Sequence, residues 1–144
     1  MISVGELLQN KGNKVWAVGP NSTALEALKL MAEMNIGVVL VMEQEKALGI
    51  FSERDYARKV VLKGKSSSTT PISEIMTQDI VYVSPDQRVK DCMALMTAKR
   101  IRHLPVREGG KIVGVISIGD LVKQIISEQE STIQELEKYI TGSY

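Results

Sequence analysis

Cysteine and histidine are almost missing from this chain of 144 residues: Cys92 and His103 are the single copies of each. An internal disulfide is therefore excluded, as is a zinc site built from His and Cys, and a reducing, cytoplasmic setting is the expectation. Charge of one sign is missing too. Eighteen Lys and Arg stand against seventeen Asp and Glu, a formal net charge of +1, so no global field draws the chain onto nucleic acid or anionic lipid. With one Phe and four Tyr and no basic stripe, nucleic-acid binding ranks last among the candidate functions. The longest apolar run, Ile36 to Met42, falls far short of the roughly 20 residues that span a bilayer, and no basic region precedes an apolar stretch at the N-terminus. No membrane association is expected. The sequence has neither a Gly-x-x-x-x-Gly-Lys-Ser/Thr loop nor a Gly-x-Gly-x-x-Gly fingerprint, and no nucleophile–base pair, so it does not read as an enzyme. What remains, 44% hydrophobic and 24% charged residues, is the balance of an ordinary globular chain.

What is present is one sequence written twice. A shift of 65 residues lays Val15–Asp55 over Ile80–Asp120 without a gap, with identities at Val18/Val83, Pro20/Pro85, Ile36/Ile101, Val41/Val106, Gly49/Gly114, Ser52/Ser117 and Asp55/Asp120 among others. Most other pairs exchange one apolar residue for another. A prelude recurs as well: Val4-Gly5-Glu6-Leu7-Leu8 mirrors Ile72-Ser73-Glu74-Ile75-Met76, with three extra residues before the first copy's strand. The expected organisation is a first repeat over 1–63, a linker over 64–71, a second repeat over 72–126 and a C-terminal helical extension over 127–144.

Each repeat reads as strand, helix, strand, strand, helix. The first strand, Val15–Val18 or Ile80–Val83, ends at Pro20 or Pro85, and Asn21, Ser22, Thr23 or Asp86 can cap the helix that follows. Ala24, Ala27, Leu28 and Met31, like Val89, Cys92, Met93 and Met96, fall at i, i+3, i+4 and i+7 and give each helix one apolar face. Hairpins join Ile36–Met42 to Leu48–Phe51 and Leu104–Arg107 to Ile112–Ile116. The second helices start near Glu53–Asp55 and Gly119-Asp120. A unit of about 60 residues has little core of its own, so the fold class is α/β (α+β): two β-α-β-β-α repeats packed sheet to sheet with pseudo-twofold symmetry, equivalent clefts where they meet, and an extended C-terminal helix.

Gly49-Ile50-Phe51-Ser52-Glu53-Arg54-Asp55 and Gly114-Val115-Ile116-Ser117-Ile118-Gly119-Asp120 share Gly-x-x-Ser-x-x-Asp. A strand ending at the serine and a helix starting beside it offer free N–H groups to an anion, and the aspartate one turn on can accept from a ribose diol. The same spacing is close to a capping box. Both readings stand on the sequence.

These residues, with Arg100-Ile101-Arg102-His103-Leu104-Pro105-Val106 and Phe51-Ser52-Glu53-Arg54-Asp55-Tyr56-Ala57-Arg58-Lys59, make nearly the whole chain resemble tandem cystathionine-β-synthase (CBS) domains, the paired unit called a Bateman module, in their small stand-alone bacterial form. The resemblance implies adenosine-containing ligands in the clefts between repeats. Carried across by position, one cleft uses Ser52, Arg54 and Asp55, completed by Thr77, Val81 and Tyr82, with Arg102 and His103 toward the phosphates. The other uses Val115, Ser117 and Asp120, completed by Ala17, Gly37 and Val38. Gly37 stands where the second repeat has Arg102, so the Asp55 cleft is expected to take the more highly phosphorylated or dinucleotide ligand. AMP and NAD or NADH are the first choices, with ADP, ATP and S-adenosylmethionine sharing the same adenosine.

Lys99, Arg100, Arg102 and His103 form a local basic cluster suited to phosphate, although a lone histidine beside an apolar strand is also a common structural residue. Cys92 reads as a buried small hydrophobe and Trp16 as a core residue with a base-stacking alternative. After Asp120 the helix is expected to run on to Tyr139, with Val122, Ile126, Gln129, Ile133, Leu136 and Ile140 in a 4-3-4-3-4 seam. That seam, and the resemblance, point to a homodimer. The expected function is an adenosine-nucleotide sensor signalling energy or redox state to a regulated protein outside this chain; the alternative is a dimerisation or adaptor module without ligand.

Overall fold

The Ser3 and Thr23 hydroxyls each accept the N–H three residues on, from Glu6 and Glu26, and so open the first two helices. The structure, a computed structural model, describes residues 2–141; Met1 and the last three residues of the expected C-terminal extension lie outside the described residues. In chain order the elements are α1 (Val4–Lys11), β1 (Ala17–Val18), α2 (Ala24–Met34), β2 (Val38–Glu43), β3 (Lys46–Ser52), α3 (Glu53–Asp55) continued by a π-helix (Tyr56–Val61), a 3₁₀ turn (Ile72–Glu74), α4 (Val89–Lys99), β4 (His103–Glu108), β5 (Lys111–Ser117) and α5 (Ile118–Thr141). The mixed α/β class and the long C-terminal helix are as the sequence implied.

The chain divides into two units. The first holds Lys14–Val81 with Gly109–Val113; the second joins the N-terminal segment through Asn13 to Tyr82–Glu108 and to the chain from Gly114 onward. The preludes are therefore exchanged. Helix α1, which opens the first repeat in sequence, belongs with the elements of the second, while the 3₁₀ turn that opens the second repeat belongs with the first.

In the first unit β1 pairs parallel to β2, and β2 antiparallel to β3, in the order β1-β2-β3. The two-residue turn Gln44-Glu45 closes the β2–β3 hairpin, with Gln44 at φ 57°. Ala24, Ala27 and Met31 of α2 pack with Val39, Val41, Phe51, Val60, Ile72 and Ile75 into one buried cluster, and Trp16 lies partly buried against it. Burying each of the Val, Ile, Met and Phe side chains of this cluster is worth about 1.5–3 kcal/mol. The Ser/Thr-rich stretch read as a linker is held against this cluster: Leu25 and Ala24 N–H donate to the Ser67 and Thr70 carbonyls, and the Tyr56 and Ser67 hydroxyls are hydrogen-bonded over 3.0 Å.

In the second unit the buried side chains include Val4, Leu7 and Leu8 of α1, Val89, Cys92 and Met96 of α4, Leu104, Val106 and Ile116 of the hairpin, and Leu121. The β4–β5 turn uses Gly109 at φ 58° and Gly110 at φ 79°, a left-handed pair that glycine adopts without steric cost. Two sequence expectations are corrected here. The strand expected over Ile80–Val83 is only a single bridge, Val83 to Val106. Its counterpart β1 is held by the Leu40 N–H donating to the Trp16 carbonyl over 3.0 Å. Pro105 stands where the first repeat has Leu40 and has no N–H to give. Asp86 is also not the helix cap; α4 starts after Arg88, whose N–H is received by the Asp91 carboxylate reaching back.

Candidate functional site

Both Gly-x-x-Ser-x-x-Asp segments place their serine at the end of a strand and their aspartate in the first turn of a helix, β3 into α3 and β5 into α5. In the first unit the Ser52 N–H donates to Asp55 Oδ2 over 2.9 Å and the Asp55 N–H returns to Ser52 Oγ over 3.2 Å. In the second, the Ser117 N–H donates to Asp120 Oδ2 over 2.8 Å and the Asp120 N–H to Ser117 Oγ over 3.2 Å. The capping box is therefore real at both turns. Neighbouring backbone repeats as closely: Glu53 N–H donates to the Gly37 carbonyl and Ile118 N–H to the Arg102 carbonyl. Gly37 and Arg102 are thus the residues on which each motif helix starts in its own unit.

The two carboxylates differ in what else they hold. Asp55 is 8% exposed. Its Oδ1 accepts the Thr77 hydroxyl over 3.0 Å and lies 3.2 Å from the Lys59 ammonium, one turn further along the same helical segment. Thr77 is fixed by two backbone hydrogen bonds with Ile50 of β3, and Lys59 also reaches the Thr77 hydroxyl over 3.3 Å. Asp120 is more open and meets a cation from a distant element: Lys11 Nζ, at the end of α1, lies 2.6 Å from Asp120 Oδ2 and 2.6 Å from the Val115 carbonyl. Partial burial pushes the Asp120 carboxyl up. The Lys11 and Ser117 hydrogen bonds and the Lys11 charge outweigh it and hold the group below the usual carboxylate range.

His103, half-buried at the start of β4, titrates below its ordinary value chiefly because of burial; the Lys11 charge adds to this, Asp120 opposes it and Arg102 adds again. The second unit thus sets Lys11 on Asp120 and the Val115 carbonyl, with His103 in the field of Lys11, Asp120 and Arg102. The sequence expectation sets Arg102 and His103 toward the Asp55 cleft, whereas within the unit the charges that act on His103 are those of the Asp120 turn, where the Arg102 carbonyl receives the Ile118 N–H. Tyr82, also in this unit, has its ring under the Arg107 guanidinium at 3.9 Å. The first unit gathers Ser52, Asp55 and Thr77, with Arg54 exposed in the first turn and Val81 half-buried at the end of the unit. Ala17 and Val38 sit in its sheet, paired with Leu40 and Ser52.

Lys11 and Lys59 were not singled out from the sequence. Lys59 is legible as the i+4 partner of Asp55; Lys11 is not, because it reaches Asp120 across 109 residues. Cys92 is fully buried, and desolvation, with Asp91 adding, pushes its thiol up to about 11, so it is a protonated core residue. Among the described residues no group of His, Cys, Asp and Glu is placed to hold a metal ion, and no helix is long and apolar enough to cross a membrane.

Comparison with known proteins agrees with the repeat. The family model described as "CBS domain" matches residues 4–62 and again 72–127. A mitochondrial CBS domain-containing protein of Arabidopsis thaliana, CBSX3, is 35% identical over 152 residues, covering 99% of this chain and 73% of its own. The solved structure of a protein with CBS domains from Burkholderia ambifaria superimposes with a TM-score of 0.85 at 49% identity, covering 88% of this chain and 96% of the other. A CBS domain protein from Pyrobaculum aerophilum, solved in complex with AMP, shares the fold at a TM-score of 0.74 and 24% identity, covering 83% and 89%. Two matched CBS segments, each ending in its own serine–aspartate helix start, establish that the chain belongs to the CBS-domain family as a tandem CBS protein.

Proposed function

We propose that this tandem CBS protein is a regulatory module that binds an adenosine nucleotide, AMP or NAD/NADH first among them, at its two serine–aspartate turns and passes the occupancy to a partner protein. The observation that carries this reading is the pairing of each motif carboxylate with a cation, Asp55 with Lys59 and Asp120 with Lys11. A carboxylate that accepts from two ribose hydroxyls, beside an ammonium free to turn to a phosphate, is the donor and acceptor set that a nucleotide requires. The AMP complex of the Pyrobaculum relative supports the ligand class. Binding shifts a conformational equilibrium only by its differential affinity for the two states.

A second reading has its own support. Both aspartates complete capping boxes, which is all that an adaptor without ligand needs of them. Either way the molecule is read as a homodimer, because Val122, Ile126, Ile133, Leu136 and Ile140 of the α5 seam are 43–80% exposed in the single chain.

Thermal unfolding with AMP, ADP, ATP, NAD, NADH and S-adenosylmethionine separates the two. At about 100 times the dissociation constant a ligand adds about 2.7 kcal/mol, a rise of about 5–10 °C for a chain of this size. No shift with any of the six leaves the adaptor.

A further inference from the structure

Lys11 holds two acceptors at once in the Asp120 turn. Its ammonium is 2.6 Å from Asp120 Oδ2 and 2.6 Å from the Val115 carbonyl oxygen. On the proposed function, which this inference rests on, these are the groups that a ribose hydroxyl and an adenine amine would use. A nucleoside entering here must take both acceptors away from Lys11 and leave an ammonium without its charge-assisted hydrogen bonds. A nucleotide brings its own replacement, a phosphate a few ångströms from the ribose, and the four-carbon lysine stem lets the ammonium swing to it. Arg102, whose charge also acts on the neighbouring His103, adds positive potential for the same anion, while His103, held neutral by burial, offers a hydrogen bond rather than a charge.

The Asp55 turn is built differently. In the prelude match Lys11 falls opposite Asp79 and Gln9 opposite Thr77. The prelude therefore gives Asp55 a neutral hydroxyl, that of Thr77, where it gives Asp120 a cation. The cation at Asp55 is Lys59, already carried on the same helical segment, and no displacement of a distant element accompanies ligand entry.

We infer that Lys11 is a specificity-determining residue of the Asp120 turn: it holds the Asp120 carboxylate and the Val115 carbonyl, transfers to the phosphate when a nucleotide binds, and so makes this turn selective for adenosine nucleotides over adenosine. The selectivity comes from both sides of the exchange, a penalty on the nucleoside and a gain for the nucleotide.

The test is calorimetric titration of AMP and of adenosine into Asp55→Asn, which keeps an oxygen for the Ser52 cap while silencing the other turn, and into the same protein carrying Lys11→Met or Lys11→Arg. Lys11→Met is expected to weaken AMP by about tenfold, the value of one charge-assisted hydrogen bond, and to leave adenosine unchanged or a few-fold tighter. Lys11→Arg, which keeps the charge, should restore most of the preference. Thermal midpoints within a few degrees of the parent verify that each variant is folded. An AMP-to-adenosine ratio unaltered by Lys11→Met, with AMP binding still abolished by Asp120→Ala, overturns the role of Lys11 and leaves the proposed function standing. Absence of AMP, NAD and NADH binding from every protein, wild type included, overturns both.

Discussion

Thr77 donates its hydroxyl to Asp55 Oδ1 over 3.0 Å while its backbone exchanges two hydrogen bonds with Ile50, so the carboxylate and the strand leading to it are braced by one residue. Gly49 makes room for that brace. A Cβ at Gly49 would lie 2.6 Å from Met76 Sδ and 2.9 Å from the Thr77 carbonyl, whereas one at Gly114 would meet only the ends of the Leu8 side chain at 2.7 and 2.9 Å. Side-chain ends give way and backbone does not. Gly49→Ala is therefore expected to cost about 2–3 kcal/mol, near the top of the range for overpacking, and Gly114→Ala about 1 kcal/mol. Urea unfolding of the two variants measures the difference; equal losses would contradict the brace.

Acidification tests the second turn. Since burial and the nearby Lys11 and Arg102 charges hold His103 below 6.5 against the pull of Asp120, the unfolded chain takes up that proton first. The associated stability is complete above about pH 6.5 and is lost as pH falls through the window beneath it. Asp120 has a depressed carboxyl pKa, so its contribution is present above 3.8 and disappears only as pH falls through its lower folded value. His103→Gln should flatten the stability profile in the window just below about pH 6.5 and leave the loss below about pH 4 intact. Urea midpoints across that range check it, and identical slopes for wild type and variant would contradict it.

The α5 seam gives a prediction about assembly. Ile126, Ile133 and Ile140 alternate with Val122, Gln129 and Leu136, and the apolar members are exposed in the single chain. A charge at the centre of such a seam is desolvated without a partner when two helices meet. Ile133→Asp is expected to convert a dimer of about twice 15.9 kDa to monomer in sedimentation equilibrium, with little loss of monomer stability because Ile133 is 54% exposed. A wild-type chain that sediments as a monomer would contradict the reading of the seam.

Much of this was legible in the sequence for physical reasons. The 65-residue repeat fixed the order of elements, because Ala24, Ala27 and Met31, and again Val89, Cys92 and Met96, carry the helical period, and the serine–aspartate spacing carries the cap. The strand over Ile80–Val83 failed for a reason that lay in the same alignment: Pro105 opposite Leu40 removes the pairing donor. Helix α1 was missed because its prelude was read as a pattern rather than as Ser3 capping Glu6. The exchange of preludes between units, and with it the pairing of Lys11 to Asp120, is tertiary information that no local period encodes.

The central claim is that the two motif aspartates hold an adenosine nucleotide. Calorimetric titration of AMP and NAD into the wild type, Asp55→Ala and Asp120→Ala tests it most directly, because both variants disturb only a cap and a carboxylate whose loss costs about 1–2 kcal/mol of stability. The account predicts saturable binding to the wild type that falls by at least about tenfold, the worth of one charged hydrogen bond, in one or both variants. Binding that survives both substitutions unchanged, or no heat from either ligand, would contradict it.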